Sequence, residues 1–232
     1  MSGPGDVVLH LRSGADIRGV RAVVFDCDGV LVDSESVWLS MLEQWHLRRG
    51  LDCGDLERFA GLTAHDTARQ LLSSQTGDGG GSREDVGLAR LTAELNTTYS
   101  SLLHEGVEPM PGAVELVTEL ACRLPVAVAS NGRRVDVESM LGALGILPRL
   151  SAVCTVEDVP HGKPAPDLYL AAAERLQIAP QDCAAFEDSP AGSAAAESAG
   201  MMVCGVNERA DVSLRGPHRL ASLTEVSADD AA

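Results

Sequence analysis

A chain of 232 residues, 45% of them hydrophobic, is long enough for one α/β core with a smaller inserted domain and too apolar for disorder to be expected. Its formal charge of −16 argues against a nucleic-acid partner, which would call for a basic face. No apolar run approaches the roughly 20 residues needed to cross a bilayer, and Asp6, His10 and Arg12 interrupt the stretch where a signal peptide would be unbroken.

A cytoplasmic protein with no membrane partner, monomeric or weakly dimeric, is therefore expected. The six cysteines (Cys27, Cys53, Cys122, Cys154, Cys183, Cys204) form no CxxC pair and no cluster with histidine. Neither a zinc site nor a disulfide framework is indicated, and most are expected to be small buried apolar residues in a reducing compartment. Seventeen arginines accompany a single lysine, Lys163.

In chain order, residues 1–18 are expected to be peripheral, as is the acidic tail 227–232. Ala22–Phe25 is the first of five short β-rich apolar runs; the others are Val126–Ala129, Ala152–Cys154, Ala184–Phe186 and Met202–Val206. Residues 36–107 read instead as amphipathic helices over Val37–Arg48, Asp66–Leu72 and Val86–Leu103. The Gly/Ser-rich stretch Ser73–Ser82 is expected to be a mobile loop between them. Beyond that insertion, Gly112–Cys122, Val135–Leu144 and 166–176 have helical spacing. A last helix runs from Pro190 towards Gly200, with Asp188 or Ser189 placed to cap it. Alternating strands and helices imply an open parallel sheet with helices on both faces, which binds ligands at the carboxyl ends of its strands. The expected organisation is an α/β core from 19–35 and 108–226, interrupted by a helical domain over 36–107.

Four segments could carry chemistry, each at a strand end or in the loop soon after it. Asp26 and Asp28 follow the first strand two residues apart, so in extended chain both side chains fall on one side and converge. Carboxylates that close repel unless a cation neutralises them or one holds a proton; the alternative is a solvated Asp-Gly turn. Glu187 and Asp188 follow the fourth strand and offer the hard oxygens that Mg²⁺ prefers, although Asp188 could simply cap the next helix. Ser130-Asn131-Gly132 follows the second strand, where a hydroxyl and adjacent N–H groups could hold a phosphate oxygen or merely form a turn. Lys163 lies in Gly162-Lys163-Pro164-Ala165-Pro166-Asp167, where two prolines fix the loop and would aim the lysine; an exposed lysine is the plain alternative. Together they supply what phosphoryl transfer requires: a nucleophile, a proton donor, a metal site and two clamps for the transferring group.

In order and combination, these motifs resemble the haloacid dehalogenase superfamily, in its subgroup similar to β-phosphoglucomutase and sugar-phosphate phosphatases. The resemblance spans residues 20–207. It implies a Rossmann-like parallel sheet of order 3-2-1-4-5 and a helical cap over 36–107 that closes on the site. It implies Asp26 as nucleophile forming an aspartyl-phosphate, and Asp28 as general acid and base. Ser130, Asn131 and Lys163 would bind phosphate. Mg²⁺ would be held by Asp26, the Asp28 carbonyl and Asp188, with Glu187 as a ligand or in support. Thr63, His65 and Arg69 become the cap residues expected to meet the substrate.

Because one fold hosts several reactions, the reaction must be read from the site. Dehalogenases and phosphonate hydrolases of the superfamily lack an acid at the position of Asp28, so phosphate-ester chemistry is favoured. A hexose-phosphate mutase would be expected to place arginine where this chain has Ala64, with His65 or Arg69 as partial substitutes. A catalytically idle regulator would be expected to lose a charged motif residue, and none is missing. The expectation is a Mg²⁺-dependent phosphatase of a small phosphorylated metabolite such as a sugar or polyol phosphate, with the mutase as alternative.

Overall fold

The structure, a computed structural model, describes residues 6–59, 62–73 and 82–230, so the expected Gly/Ser-rich loop lies almost wholly outside the described residues. It divides into two compact units, Met1–Asp33 with Val107–Ala232, and Ser34–Gly106.

The elements in chain order are strands β1 (Val7–Leu11), β2 (Asp16–Val20) and β3 (Ala22–Phe25), then helices α1 (Ser34–Arg48), α2 (Ala64–Ser73), α3 (Ser82–Glu105) and α4 (Ala113–Ala121). Next come β4 (Val126–Ala129), α5 (Arg134–Ala143), β5 (Ala152–Cys154), α6 (Asp167–Leu176), β6 (Cys183–Glu187) and α7 (Pro190–Ser198). The chain ends with β7 (Met202–Val206), β8 (His218–Leu220) and β9 (Val226–Asp230). No described helix is long and apolar enough to cross a membrane.

In the larger unit a six-stranded sheet has the order β5-β4-β3-β6-β7-β8, with every neighbouring pair parallel. The five apolar runs occupy the expected 3-2-1-4-5 order, and β8 adds a sixth strand. Its sequence, His-Arg-Leu, is too short and polar to announce itself. The strands β3, β4 and β6 are buried along their whole length. That explains their continuous apolar character, since both faces of a parallel sheet are covered by helices. Register decides where the polar residues at the strand ends emerge. Phe25 pairs with Phe186 across β3 and β6, and their rings stack at 5.0 Å. That register sets Asp26, the first residue beyond β3, beside Glu187, the last of β6.

The terminal segments expected to be peripheral form a second sheet instead. Strand β1 lies between β2 and β9, antiparallel to both, and Val7, Val8, Leu9, Leu11, Ile17 and Ala228 are buried. β9 is also tied to α4, where Glu119 accepts the Ala228 N–H, and to Arg123 just past that helix, which pairs with Asp230 at 3.0 Å. A five-residue strand whose partner lies at the far end of the chain leaves no local signal.

In the smaller unit α1 supplies Trp38, Met41, Leu42 and Trp45 to a common core with Phe59, Ala64, Ala68, Leu71, Leu91 and Leu95. The spacing of three and four residues is that of one helical face. Both indoles find acceptors, Trp38 on the Phe59 carbonyl and Trp45 on Glu94.

Leu9 is wholly buried in the small sheet. Leu9→Ala is expected to cost about 2–5 kcal/mol, lowering the melting temperature by roughly 4–20 °C for a chain of this length. A calorimetric scan showing a change below about 2 °C would return the N-terminal strand to the status of a decoration.

Candidate active site

Asp26 is the first residue beyond β3, and its N–H donates to the Phe186 carbonyl at 3.0 Å, extending the β3–β6 ladder by one step. Glu187 is the last residue of β6 and Asp188 comes directly after it. One carboxylate oxygen from each of Asp26, Glu187 and Asp188 lies within 4.8 Å of the others. After Asp26 the chain turns sharply, the N–H groups of Leu31 and Val32 both returning to the Cys27 carbonyl. Gly29 takes φ of +75° in this turn, and a Cβ there would stand 2.1 Å from Asp188 Oδ2. Only glycine lets the turn approach the carboxylate so closely.

Lys163 is not an exposed lysine. Its side chain is 4% accessible, and Nζ lies 2.5 Å from Asp26 Oδ1 and 2.6 Å from Glu187 Oε1. Its backbone is held by Asn131, whose Oδ1 accepts the Lys163 N–H at 2.8 Å while Nδ2 donates to the Lys163 carbonyl at 3.2 Å. The Asn131 side-chain amide is thus committed to the lysine loop. The stretch leading into that loop is anchored by Asp158, which pairs with Arg134 on α5 and with Arg175 on α6.

Ser130 is fully buried at the end of β4. Its hydroxyl donates to Asp28 Oδ2 at 3.3 Å and accepts the Gly132 N–H at 2.9 Å. Asp26, Asp28, Ser130, Asn131, Lys163, Glu187 and Asp188 thus gather at the carboxyl ends of β3, β4 and β6 and in the loop that carries the lysine.

Two residues join them that the sequence pattern did not single out. Tyr169 donates its hydroxyl to Glu187 Oε1 at 2.7 Å, and Asn207 donates to the Asp188 carbonyl at 3.1 Å. Tyr169 sits among Leu168, Ala172, Ala173 and Leu176 at core spacing on α6, so nothing in the pattern separated it from packing. Glu187 in all accepts four hydrogen bonds, from Lys163, Tyr169 and the Ser189 N–H and hydroxyl. Its proximity suits a metal ligand, whereas this saturation suits support. Ser189 also caps α7 by accepting the Gly192 N–H at 3.0 Å, which leaves the Asp188 carboxylate clear of capping.

Burial pushes the Asp26 carboxyl well above its usual range; Lys163 pulls it back, and Glu187, Asp188 and Asp28 push it further up. Burial and Glu187 likewise push Asp188 up to about 7, against Lys163. Burial lowers the Lys163 ammonium, but Asp26 and Glu187 outweigh it and hold it above the ordinary lysine range. Two like charges at roughly 5 Å repel by about 3 kcal/mol at an effective dielectric constant of about 20. Three carboxylates facing one ammonium are therefore short of positive charge, and the hard oxygens of Asp26 and Asp188 suit a Mg²⁺ ion that would supply it.

In the smaller unit, the three side chains expected to meet the substrate lie exposed along α2 and the residue before it. Thr63 accepts the Asp66 N–H and donates to its carboxylate, Arg69 pairs with Asp66, and His65 Nε2 lies 2.7 Å from Arg69. Ala64 is buried in that unit's core.

The family model described as haloacid dehalogenase-like hydrolase matches residues 23–206, a span that contains every one of these motifs. The chain belongs to this family. Hexitol phosphatase A of Escherichia coli is 32% identical over 199 residues, covering 82% of this chain and 85% of that protein. A β-phosphoglucomutase of Bacillus subtilis is 29% identical over 197 residues, covering 82% and 84%. Among solved structures, a haloacid dehalogenase family hydrolase from Deinococcus radiodurans with bound phosphate and sodium superposes with a TM-score of 0.70 at 27% identity, covering 89% and 93%. The chain stands among the phosphatases of the family, the phosphoric monoester hydrolases.

The carboxylate of Glu187 fills the space beside Gly192, where a Cβ would fall 1.8 Å from Oε1. Gly192→Ala is expected to destabilise the fold by about 1–3 kcal/mol through overpacking, read as a lowered melting temperature. A variant that melts with the wild type would mean that Glu187 does not occupy this position.

Proposed function

We propose that this family member is a Mg²⁺-dependent phosphatase of a sugar or polyol phosphate that works through an aspartyl-phosphate on Asp26. The observation that carries the reading is Lys163 Nζ at 2.5 Å from Asp26, with Asp28 two residues further on and bonded to Ser130. Lys163 favours the ionised, nucleophilic form of Asp26 against burial and offers its ammonium to the phosphoryl oxygens, whose charge must be offset as they approach a carboxylate. Asp26 attacks phosphorus, the P–O bond to the leaving alcohol breaks, and the Asp28 carboxyl gives its proton to the departing oxygen. Asp28, now a carboxylate, then takes a proton from the water that attacks the aspartyl-phosphate, releasing inorganic phosphate and restoring Asp26. Ser130 is placed to orient Asp28 and to meet a phosphoryl oxygen. Bound by Asp26 and Asp188, Mg²⁺ would draw negative charge from the transferring group.

The similarity to a β-phosphoglucomutase keeps a mutase as the second reading. A mutase must hold a bisphosphate while the sugar turns round, and an arginine in the helical unit is expected for that task. Ala64 occupies its position and is buried against Ala68 and Leu71, so the side chain is spent on packing. That favours water as the final acceptor.

Asp26→Asn is expected to keep the fold and lose turnover by several powers of ten, since the amide is nearly isosteric and a poor nucleophile. Retention of more than about a hundredth of wild-type phosphatase activity would remove the covalent mechanism.

With Mg²⁺ present, inorganic phosphate is expected to appear from hexose or polyol phosphates without a bisphosphate primer, and EDTA is expected to stop it. A phosphate-release assay and a coupled assay for glucose 6-phosphate, run on one preparation with glucose 1-phosphate, decide between the readings. Isomerisation outrunning hydrolysis would make the protein a mutase.

A further inference from the structure

Tyr169 is fully buried early in α6. Its ring centroid lies 5.2 Å from Lys163 Nζ, and its hydroxyl is 2.7 Å from Glu187 Oε1. The same oxygen accepts Lys163 Nζ at 2.6 Å, while Oε2 accepts the N–H and hydroxyl of Ser189. One oxygen of Glu187 is thus shared between a phenol and an ammonium, and that ammonium is shared between Glu187 and Asp26. The chemistry of phosphoryl transfer uses Lys163 and Asp26 and gives the phenol no part.

The sharing has a direction. A hydroxyl donated to Oε1 withdraws part of the negative charge with which Glu187 holds the ammonium. More of Lys163 is then left for Asp26 and for an incoming oxyanion. The ring face adds attraction for a cation at the same spot, within the range where such contacts act. Ser189 meanwhile fixes the second oxygen, so Glu187 cannot turn to follow the lysine.

We propose that Tyr169 is a positioning residue of the phosphoryl-transfer site, which together with Ser189 fixes Glu187 as the counter-ion of Lys163 rather than as a ligand of the metal. The inference rests on the function proposed above, but its test does not need turnover.

The test compares wild type with Tyr169→Phe, which removes one oxygen atom and keeps the ring. Calorimetric titration with inorganic phosphate in the presence of Mg²⁺ reads the oxyanion site, and Mn²⁺ binding by electron paramagnetic resonance reads the metal site. Losing a hydrogen bond to a charged group is expected to weaken phosphate about tenfold, with Mn²⁺ affinity unchanged within about twofold. In the Glu187→Gln background the same substitution should alter phosphate affinity by less than about twofold, because residues acting through one another are not additive. Unchanged phosphate affinity in the single variant overturns the proposal, whatever happens to the melting temperature. So does Mn²⁺ binding weakened about tenfold or more, as expected on disturbing a group that orients a metal ligand. A full additive loss in the double variant overturns it as well. Absence of phosphatase activity in the wild type would sink the proposed function and leave these binding measurements standing.

Discussion

Buried Asp26 and Glu187 and half-buried Asp188, with oxygens within 4.8 Å of one another, create a repulsion that one lysine only partly offsets. Much of the surrounding structure serves that single cation. Asn131 grips the Lys163 backbone by both its N–H and its carbonyl, and Asp158 braces the preceding stretch against two helices. The carboxylates remain short of positive charge, and a cation shared by Asp26 and Asp188 would relieve the repulsion between them.

How the fold delivers these groups is a matter of register. Phe25 and Phe186 pair and stack, so Asp26 just past β3 and Glu187 at the end of β6 are neighbours. A shift of either strand by one residue would carry Asp26 or Glu187 to the opposite face of the sheet. Burial of both faces forbids that shift as firmly as any hydrogen bond. Close approach then does the rest, because Gly29 and Gly192 leave room that no other side chain would leave beside Asp188 and Glu187.

The core was legible because its signals are local: apolar runs of three to five residues, each followed at once or after a short loop by a charged or hydroxyl residue. The strand order came from the resemblance, and the sheet has that order with β8 added at the edge. What escaped notice depends on distant partners. Tyr169 looks like packing until its hydroxyl meets Glu187, and nothing in the Ser-Asn-Gly run announces that the Asn131 side chain holds the Lys163 backbone. The terminal strands are ordinary short segments whose meaning lies in each other. In each case the decisive contact joins residues far apart in sequence, where composition and periodicity carry no information.

The small sheet has a consequence for how the molecule comes into being. Strand β1 is made before the whole six-stranded sheet, yet one of its two neighbours, β9, follows that sheet in the chain. On the ribosome the β1–β2 hairpin must wait with one edge open while the catalytic core assembles, because the strand that covers that edge has not yet been made. Closing so long a loop is slow compared with local pairing. The seal between β1 and β9 therefore comes after every strand of the larger sheet has been made.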